Sequence, residues 1–208
     1  RAERSMSDPM SAEGRAFRDE DWYGDELGAA RFTDCAFTDV DLTEASTRNA
    51  VFERCAFSNC RFNASTHEST AFVACALERC NFFDATLDGC KLTGSVFSEC
   101  TMRPLRVVGG QWGGVTIRGG KLDRVDLTGV DLREADLSMS DLSNAVLRDC
   151  RLDGANLRET DLGGADLRGA SLDRVDLAAA RLRGTKLDLP GAVLLAELHG
   201  AVVDVTPA

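Results

Sequence analysis

The chain has 208 residues with 44 % hydrophobic but only 6 % aromatic side chains, so its core must be filled mainly by Leu, Val, Ala and other small residues. The formal net charge of −10 excludes a nucleic-acid-binding surface, which needs Lys and Arg to displace counterions. It leaves open a basic partner, or a surface that stands in for DNA. No stretch approaches the ~18 apolar residues of a membrane span, so no membrane partner is expected.

From the N-terminus, residues 1–14 (RAERSMSDPMSAEG) are polar and lack the apolar segment of a secretory signal. They are expected to be a disordered tail. A different order governs residues 15–189. Stepping by five from Phe17 to Leu187 visits 35 positions, of which only Thr47 and His67 are not apolar, and every step from Leu122 onward is Leu. Internal periods take precedence over local propensity. On an α-helix, five residues turn about 500°, so successive repeats drift by ~140° and share no face. In a flat strand an odd period flips sides at every repeat. The chain must therefore bend once per repeat.

A second register says how. Two residues before each apolar centre lies a small residue, as at Cys35, Ala45, Cys55, Ser65, Ala135 and Ala165. The residue between is polar, often Asp or Asn, giving the in–out–in alternation of a very short strand. The next two residues are polar or Gly, as in Arg168-Gly169, and suit a turn. The number of sides is not fixed by this pattern. The 20-residue separation of Thr47 and His67 points to four, which would stack the two exceptions in one place.

All eight cysteines fall on multiples of five: 35, 55, 60, 75, 80, 90, 100 and 150. With four sides, Cys35, Cys55 and Cys75 share one column, and Cys60, Cys80 and Cys100 another, at ~4.8 Å spacing. Parallel side chains keep the Cβ atoms too far apart for a disulfide and cannot converge tetrahedrally on zinc. The thiols are expected to be reduced packing residues, which suits a cytoplasmic protein. His67 reads as a buried imidazole hydrogen-bonded near Thr47. No nucleophile–base set, phosphate loop, metal cluster or cofactor motif is apparent. The unbroken five-step register leaves no cleft, so an enzyme is not expected.

The register stops at Leu187. Asp188 suits an N-cap and Pro190 a first helical turn. The segment 190–208 is expected to form a helix from Gly191 to about His199, ended by Gly200, then a short edge strand over Ala201–Val205. That helix is apolar almost all round and must be covered on more than one side. One side can close the last coil, and a second copy is the simplest cover for the other. Leu189, Val193, Leu194, Leu195 and Leu198 are the expected dimer contacts. Trp22 and Tyr23 are expected to close the opposite end.

Residues 1–100 hold 18 acidic and 10 basic side chains, and residues 101–208 hold 16 and 14. Asp141 and Asp161 would stack ~4.8 Å apart within pentapeptides that contain no basic residue. Like charges aligned across strands are unfavourable, which marks this pair as the first candidate binding surface, with Asp126, Asp136, Asp166 and Asp176 beside it. Asp19, Glu20, Asp21, Asp25 and Glu26 form a second acidic cluster. About nine coils make a rod of roughly 42 Å at ~4.8 Å per coil. Ten charges over that length fall well below the one per ~1.7 Å of duplex DNA, so any likeness to DNA must be local.

The pentapeptides ADLSM, ANLRE, ADLRG, VDLTG and VDLRE resemble the A(D/N)LXX motif of the pentapeptide-repeat family over roughly Arg15 to Leu189. The resemblance implies an all-β fold, a right-handed quadrilateral parallel β-helix, here with a short C-terminal α-helix. Gly94–Leu105 (GSVFSECTMRPL), RDEDWYGDEL and AELHGAVVDV are similar to the MfpA branch of that family, found in mycobacteria and related actinobacteria. The Qnr proteins are more distant and often carry projecting loops, for which this register leaves no room. This narrower resemblance implies a dimeric, non-enzymatic acidic rod that binds DNA gyrase in place of duplex DNA. Inhibited supercoiling and resistance to fluoroquinolones or other topoisomerase poisons follow from it. The alternative is a structural or interaction scaffold for a different protein partner.

Overall fold

The computed structural model describes residues 8–204 together with Thr206 and Pro207. Each five-residue step becomes one side of a four-sided coil, and residue i lies beside residue i+20 in parallel register. Phe32 pairs with Phe52 and Phe52 with Phe72 on the first face. Phe37 pairs with Phe57 on the second, Asp141 with Asp161 on the third, and Thr47 with His67 on the fourth. The product is a right-handed quadrilateral β-helix. Three faces begin as ladders of short strands, and the third is joined by single bridges such as Asp21 to Asp41 and Asp41 to Arg61. Past residue 110 all four faces are joined by single bridges.

The corners explain the polar pair in each repeat. The residue two places after the apolar centre turns the chain in the left-handed region, for example Asp34 at φ 52°, Asn49 at 57° and Gly129 at 72°. Asp, Asn and Gly tolerate that conformation best.

Inside, large and small residues alternate as expected. Phe rings stack coil on coil, with centroids 4.6 Å apart for Phe37–Phe57 and 4.8 Å for Phe52–Phe72, near the spacing of strands. The small inward residue has a second task. Its Sγ or Oγ donates to the central carbonyl of the coil below: Cys55 to Phe32 O at 3.4 Å, Cys75 to Phe52 O at 3.3 Å, Ser95 to Phe72 O at 2.6 Å and Thr160 to Leu137 O at 2.9 Å. Cys, Ser and Thr are thus alternatives at one position because each is small and can donate. Burial holds the thiol pKa of Cys90 up at about 11 and of Cys150 at about 12, which keeps them unreactive.

One inward position admits only glycine. At Gly110, φ is +119°, and a Cβ would lie 2.6 Å from Cys90 O and 3.1 Å from Trp112 Nε1. The indole of Trp112, fully buried, fills the space a side chain would take. Gly110→Ala should therefore cost about 2–4 kcal/mol, combining overpacking with backbone strain, readable by urea titration.

Both ends differ from expectation. The tail is shorter than 1–14: Ser11–Glu13 forms a strand against Arg31–Thr33, and Arg31 N donates to Met10 O at 2.8 Å. The reason is Ala12, which continues the register one five-residue step before Phe17. Residues 1–7 lie outside the described residues. Trp22 is buried within its column, stacked on Phe32, and Tyr23 points outward at 45 % exposure. Met10 and Ala12 pack on the first coil in their place. At the other end α1 spans Leu189–Leu198, with Asp188 as its N-cap. Asp188 Oδ1 accepts from Gly191 N at 2.9 Å and its Oδ2 from Gly169 N at 2.7 Å, which fastens the helix to the rod. Ala201–Asp204 form no strand, and Val205 lies outside the described residues.

The expected absence of a cleft also needs correction. The sequence register is continuous, but the hydrogen-bond ladder is not. Between residues 100–109 and 121–128 the bonds made at equivalent places in neighbouring coils are missing on the third and fourth faces. Leu122 N reaches Asp141 O at 2.8 Å, whereas Met102 N has no bond to the coil above. Val146 N reaches Val125 O, whereas Asp126 N reaches nothing in the coil below. The first and second faces stay joined by Leu92 N to Gln111 O at 2.8 Å and Phe97 N to Thr116 O at 2.9 Å. Pro104 supplies no N–H, and Asp84 N turns to Pro104 O instead. Leu105 occupies a column otherwise held mostly by Ala and Ser. The result is a slit on two adjacent faces.

Candidate interaction surface

The packed interior leaves the outward columns and the two ends as the places where function can sit. The Asp or Asn before each apolar centre has a structural duty first. Its Oδ1 accepts the N–H of the residue two places on: Asp141 from Ser143 at 2.9 Å, Asp161 from Gly163 at 2.9 Å, Asp126 from Thr128 at 3.0 Å and Asp136 from Ser138 at 3.0 Å. Asn81 and Asn156 do the same for Phe83 and Arg158. Where this position is Asp or Asn, the side chain serves first as the turn's acceptor, and charge is additional. Asp176 is an exception: its side chain makes no capping bond to the 3-10 turn Leu177–Ala179 that follows.

The six candidate carboxylates fall on three faces. Asp141 and Asp161 are adjacent on the third. Asp126 and Asp166 lie two coils apart on the fourth, with Val146 between them. Asp136 and Asp176 lie on the second, opposite the fourth, with Asn156 bridging to Asp136. Their electrostatics differ as well. Arg168, and then Arg148, pair with Asp166 and hold its carboxyl far below the usual range. Asp136 faces Arg118 at 3.9 Å. Asp141 and Asp161 make no ion pair among the described residues. Hydrogen bonds from Ser143, more than the nearby Arg103 and Lys121, lower the Asp141 pKa. Lys121 and Arg181 continue the same column on either side of the pair, a boundary that pentapeptide composition could not show. Around the rod, every face carries seven acidic residues at its outward positions, against six, four, six and five basic ones on faces one to four. No face is a uniform acidic strip. The N-terminal cluster gathers Asp19, Glu20, Asp21, Asp39 and Asp41 around a shallow cleft, with Arg61 among them. Asp25 and Glu26 are not part of its lining.

His67 and Thr47 meet as a buried pair. Thr47 Oγ1 lies 2.7 Å from His67 Nδ1 and 2.7 Å from Thr70 Oγ1, and Ser65 Oγ lies 3.0 Å from His67 Nε2. Ser65 spends its own proton on Phe62 O at 2.6 Å, so His67 donates from Nε2 and accepts at Nδ1. The site is a closed hydroxyl network without access for a substrate. Burial pushes the imidazole pKa down to about 4. The unfolded chain binds a proton near pH 6.5, so this group's contribution is intact above that pH and is lost as pH falls toward 4. The expected loss is roughly 3 kcal/mol. Urea titrations from pH 7 to 4 should show it, and His67→Leu should remove that component of the pH dependence.

Models of the pentapeptide repeats match residues 27–66, 114–149 and 150–188, and a model of the pentapeptide repeat region matches residues 50–127. The chain is a pentapeptide-repeat protein. Among curated proteins no sequence matches. Full-length QnrB1, described as a plasmid-mediated fluoroquinolone resistance protein, shares the fold. It is 19 % identical with a TM-score of 0.65, over 92 % of this chain and 100 % of QnrB1. A trypsin-treated QnrB1 variant aligns at 19 % identity and TM-score 0.59, over 94 % and 98 %.

The C-terminal end of this pentapeptide-repeat protein divides the five expected dimer residues. Leu194 and Leu195 pack on the rod's own core, and Val193 is half-buried. Leu189 is 74 % and Leu198 41 % exposed, with Val202 at 94 % beside the helix end in sequence. The first group closes the coil, and the second leaves an apolar terminus facing solvent. No helix among the described residues is long and apolar enough to cross a membrane.

Proposed function

We propose that this protein is a non-enzymatic partner of DNA gyrase that acts in the cytoplasm, occupies a duplex-binding surface of that enzyme, inhibits supercoiling and confers resistance to fluoroquinolones or other topoisomerase poisons. The observation that carries the reading is the Asp141–Asp161 pair: two stacked carboxylates without an ion pair, on a face with no projecting loop. A partner that binds DNA offers cations spaced for phosphates and would relieve the repulsion between them. The MfpA-like phrases and the fold shared with QnrB1 support the same reading. Two copies joined through Leu189 and Leu198 would bring two such pairs toward the centre of one longer rod. Because the charges interleave on every face, the likeness to DNA is confined to such local groups.

The test is competition. Immobilised gyrase should bind the protein, and a 40-base-pair duplex should displace it in proportion to its own occupancy. Simultaneous binding of both would overturn the mimicry. The even spread of charge favours a second reading, a scaffold for another protein, and a lysate pull-down that recovers a different protein and no gyrase would support it.

A further inference from the structure

We infer that the slit between the fifth and sixth coils is a docking site for an extended, acidic segment of a partner protein, which would add to it as a β-strand. Three independent observations converge there. The first is the open edge. On the lower lip the N–H groups of Met102, Val107 and Gly109, and on the upper lip those of Lys121 and Asp126, lack the backbone bonds that their counterparts make in other coils. An unpaired edge with its ladder groups free is a template for another strand. In most β-helices such edges exist only at the ends, whereas this one lies at mid-rod, where the end caps cannot cover it.

The second is charge. The two clefts are lined by Arg103, Arg106 and Arg124 against Asp123 and Asp126, with Lys121 on the upper lip, a net cationic belt in a chain of net charge −10. Arg103 is engaged across the slit by Asp123 at 2.6 Å. Arg106 and Arg124 are exposed and have no ion pair among the described residues. The belt selects an acidic segment and disfavours a basic one.

The third is exposed apolar surface. One cleft, of about 400 Å³, runs from Phe83 past Pro104 and Leu105 to Arg124. A second, of about 600 Å³, runs from Leu105 past Arg106 and Val108 to Asp126 and also includes Arg124. Phe83 is 51 % and Val108 44 % exposed, and they mark the two clefts. Leu105 and Val107 are less completely buried than most of the core, at 8 % and 9 %. A strand crossing the corner would seat apolar side chains in the clefts and set carboxylates against Arg106 and Arg124. This site adjoins the Asp141–Asp161 pair through Lys121 on the third face, but its argument does not depend on the gyrase reading.

The experiment uses the full-length protein with two synthetic seven-residue peptides, acetylated and amidated, one alternating valine with aspartate and the other valine with lysine. Binding is followed by calorimetry and by amide hydrogen exchange. In the free protein the amides of Met102, Val107, Gly109, Lys121 and Asp126 should exchange at least a hundredfold faster than those of Trp112 and Ile117. The aspartate peptide should slow that set at least tenfold and bind at least tenfold more tightly than the lysine peptide. The Arg106→Glu/Arg124→Glu variant should reverse the preference while keeping the far-ultraviolet spectrum. Slow exchange at the slit in the free protein, equal binding of both peptides, or protection elsewhere would each overturn the inference.

Discussion

Leu189→Glu with Leu198→Glu should dissociate the proposed dimer into folded monomers at micromolar concentration, measured by sedimentation velocity. The two leucines are the exposed part of an otherwise anchored helix, at 74 % and 41 %. Burying a leucine contributes about 1.5–3 kcal/mol. A two-fold axis counts each substitution twice, so the dissociation constant should rise by a factor of about a thousand or more. Charge introduced into the same apolar junction adds to the loss. The rod should survive because Leu194 and Leu195 hold α1 to the core and Asp188 bonds both Gly191 and Gly169. A dimer that persists in the variant would place the interface elsewhere.

The second large effect concerns the carboxylate pair. Asp141→Asn with Asp161→Asn should raise the concentration needed for half-inhibition of gyrase about tenfold or more, equivalent to ~1.4 kcal/mol of binding. Asparagine is the informative substitution because it keeps the Oδ1 acceptor that bonds the N–H groups of Ser143 and Gly163, as Asn81 and Asn156 already do for Phe83 and Arg158. Lysine would remove the charge and the turn bond together. Asp166→Asn is the internal control. Its carboxylate is already engaged by Arg168 and Arg148, so its loss should change inhibition much less. Equal effects of the two substitutions would mean that net charge, rather than the free pair, governs binding.

The fold was legible because one period of five is enforced at every turn by packing. Phe32, Phe52 and Phe72 must stack, and Thr47 must meet His67, once the coil has four sides. What stayed hidden depends on relations between coils. The pentapeptides that hold Asp141 and Asp161 contain no base, yet Lys121 and Arg181 lie beside the pair because each is 20 residues from one of them. The slit was invisible for a different reason. Pro104 and Leu105 leave the five-step count intact while removing one donor and enlarging one inward side chain, so the ladder opens without any slip in register. Ala12 is hard to read from sequence because alanine is a weak apolar signal within a polar segment. The double duty of Cys, Ser and Thr as packing groups and donors was legible only in part: smallness shows in the sequence, but the carbonyl 23 residues earlier does not.

Inhibition of gyrase through its duplex surface can be measured in a supercoiling assay with purified gyrase, relaxed plasmid and the full-length protein. Supercoiling should be inhibited at micromolar protein or below, less so as plasmid is increased and less again in the Asp141→Asn/Asp161→Asn variant. Undiminished supercoiling at those concentrations, with the protein folded and dimeric, would contradict the proposed function.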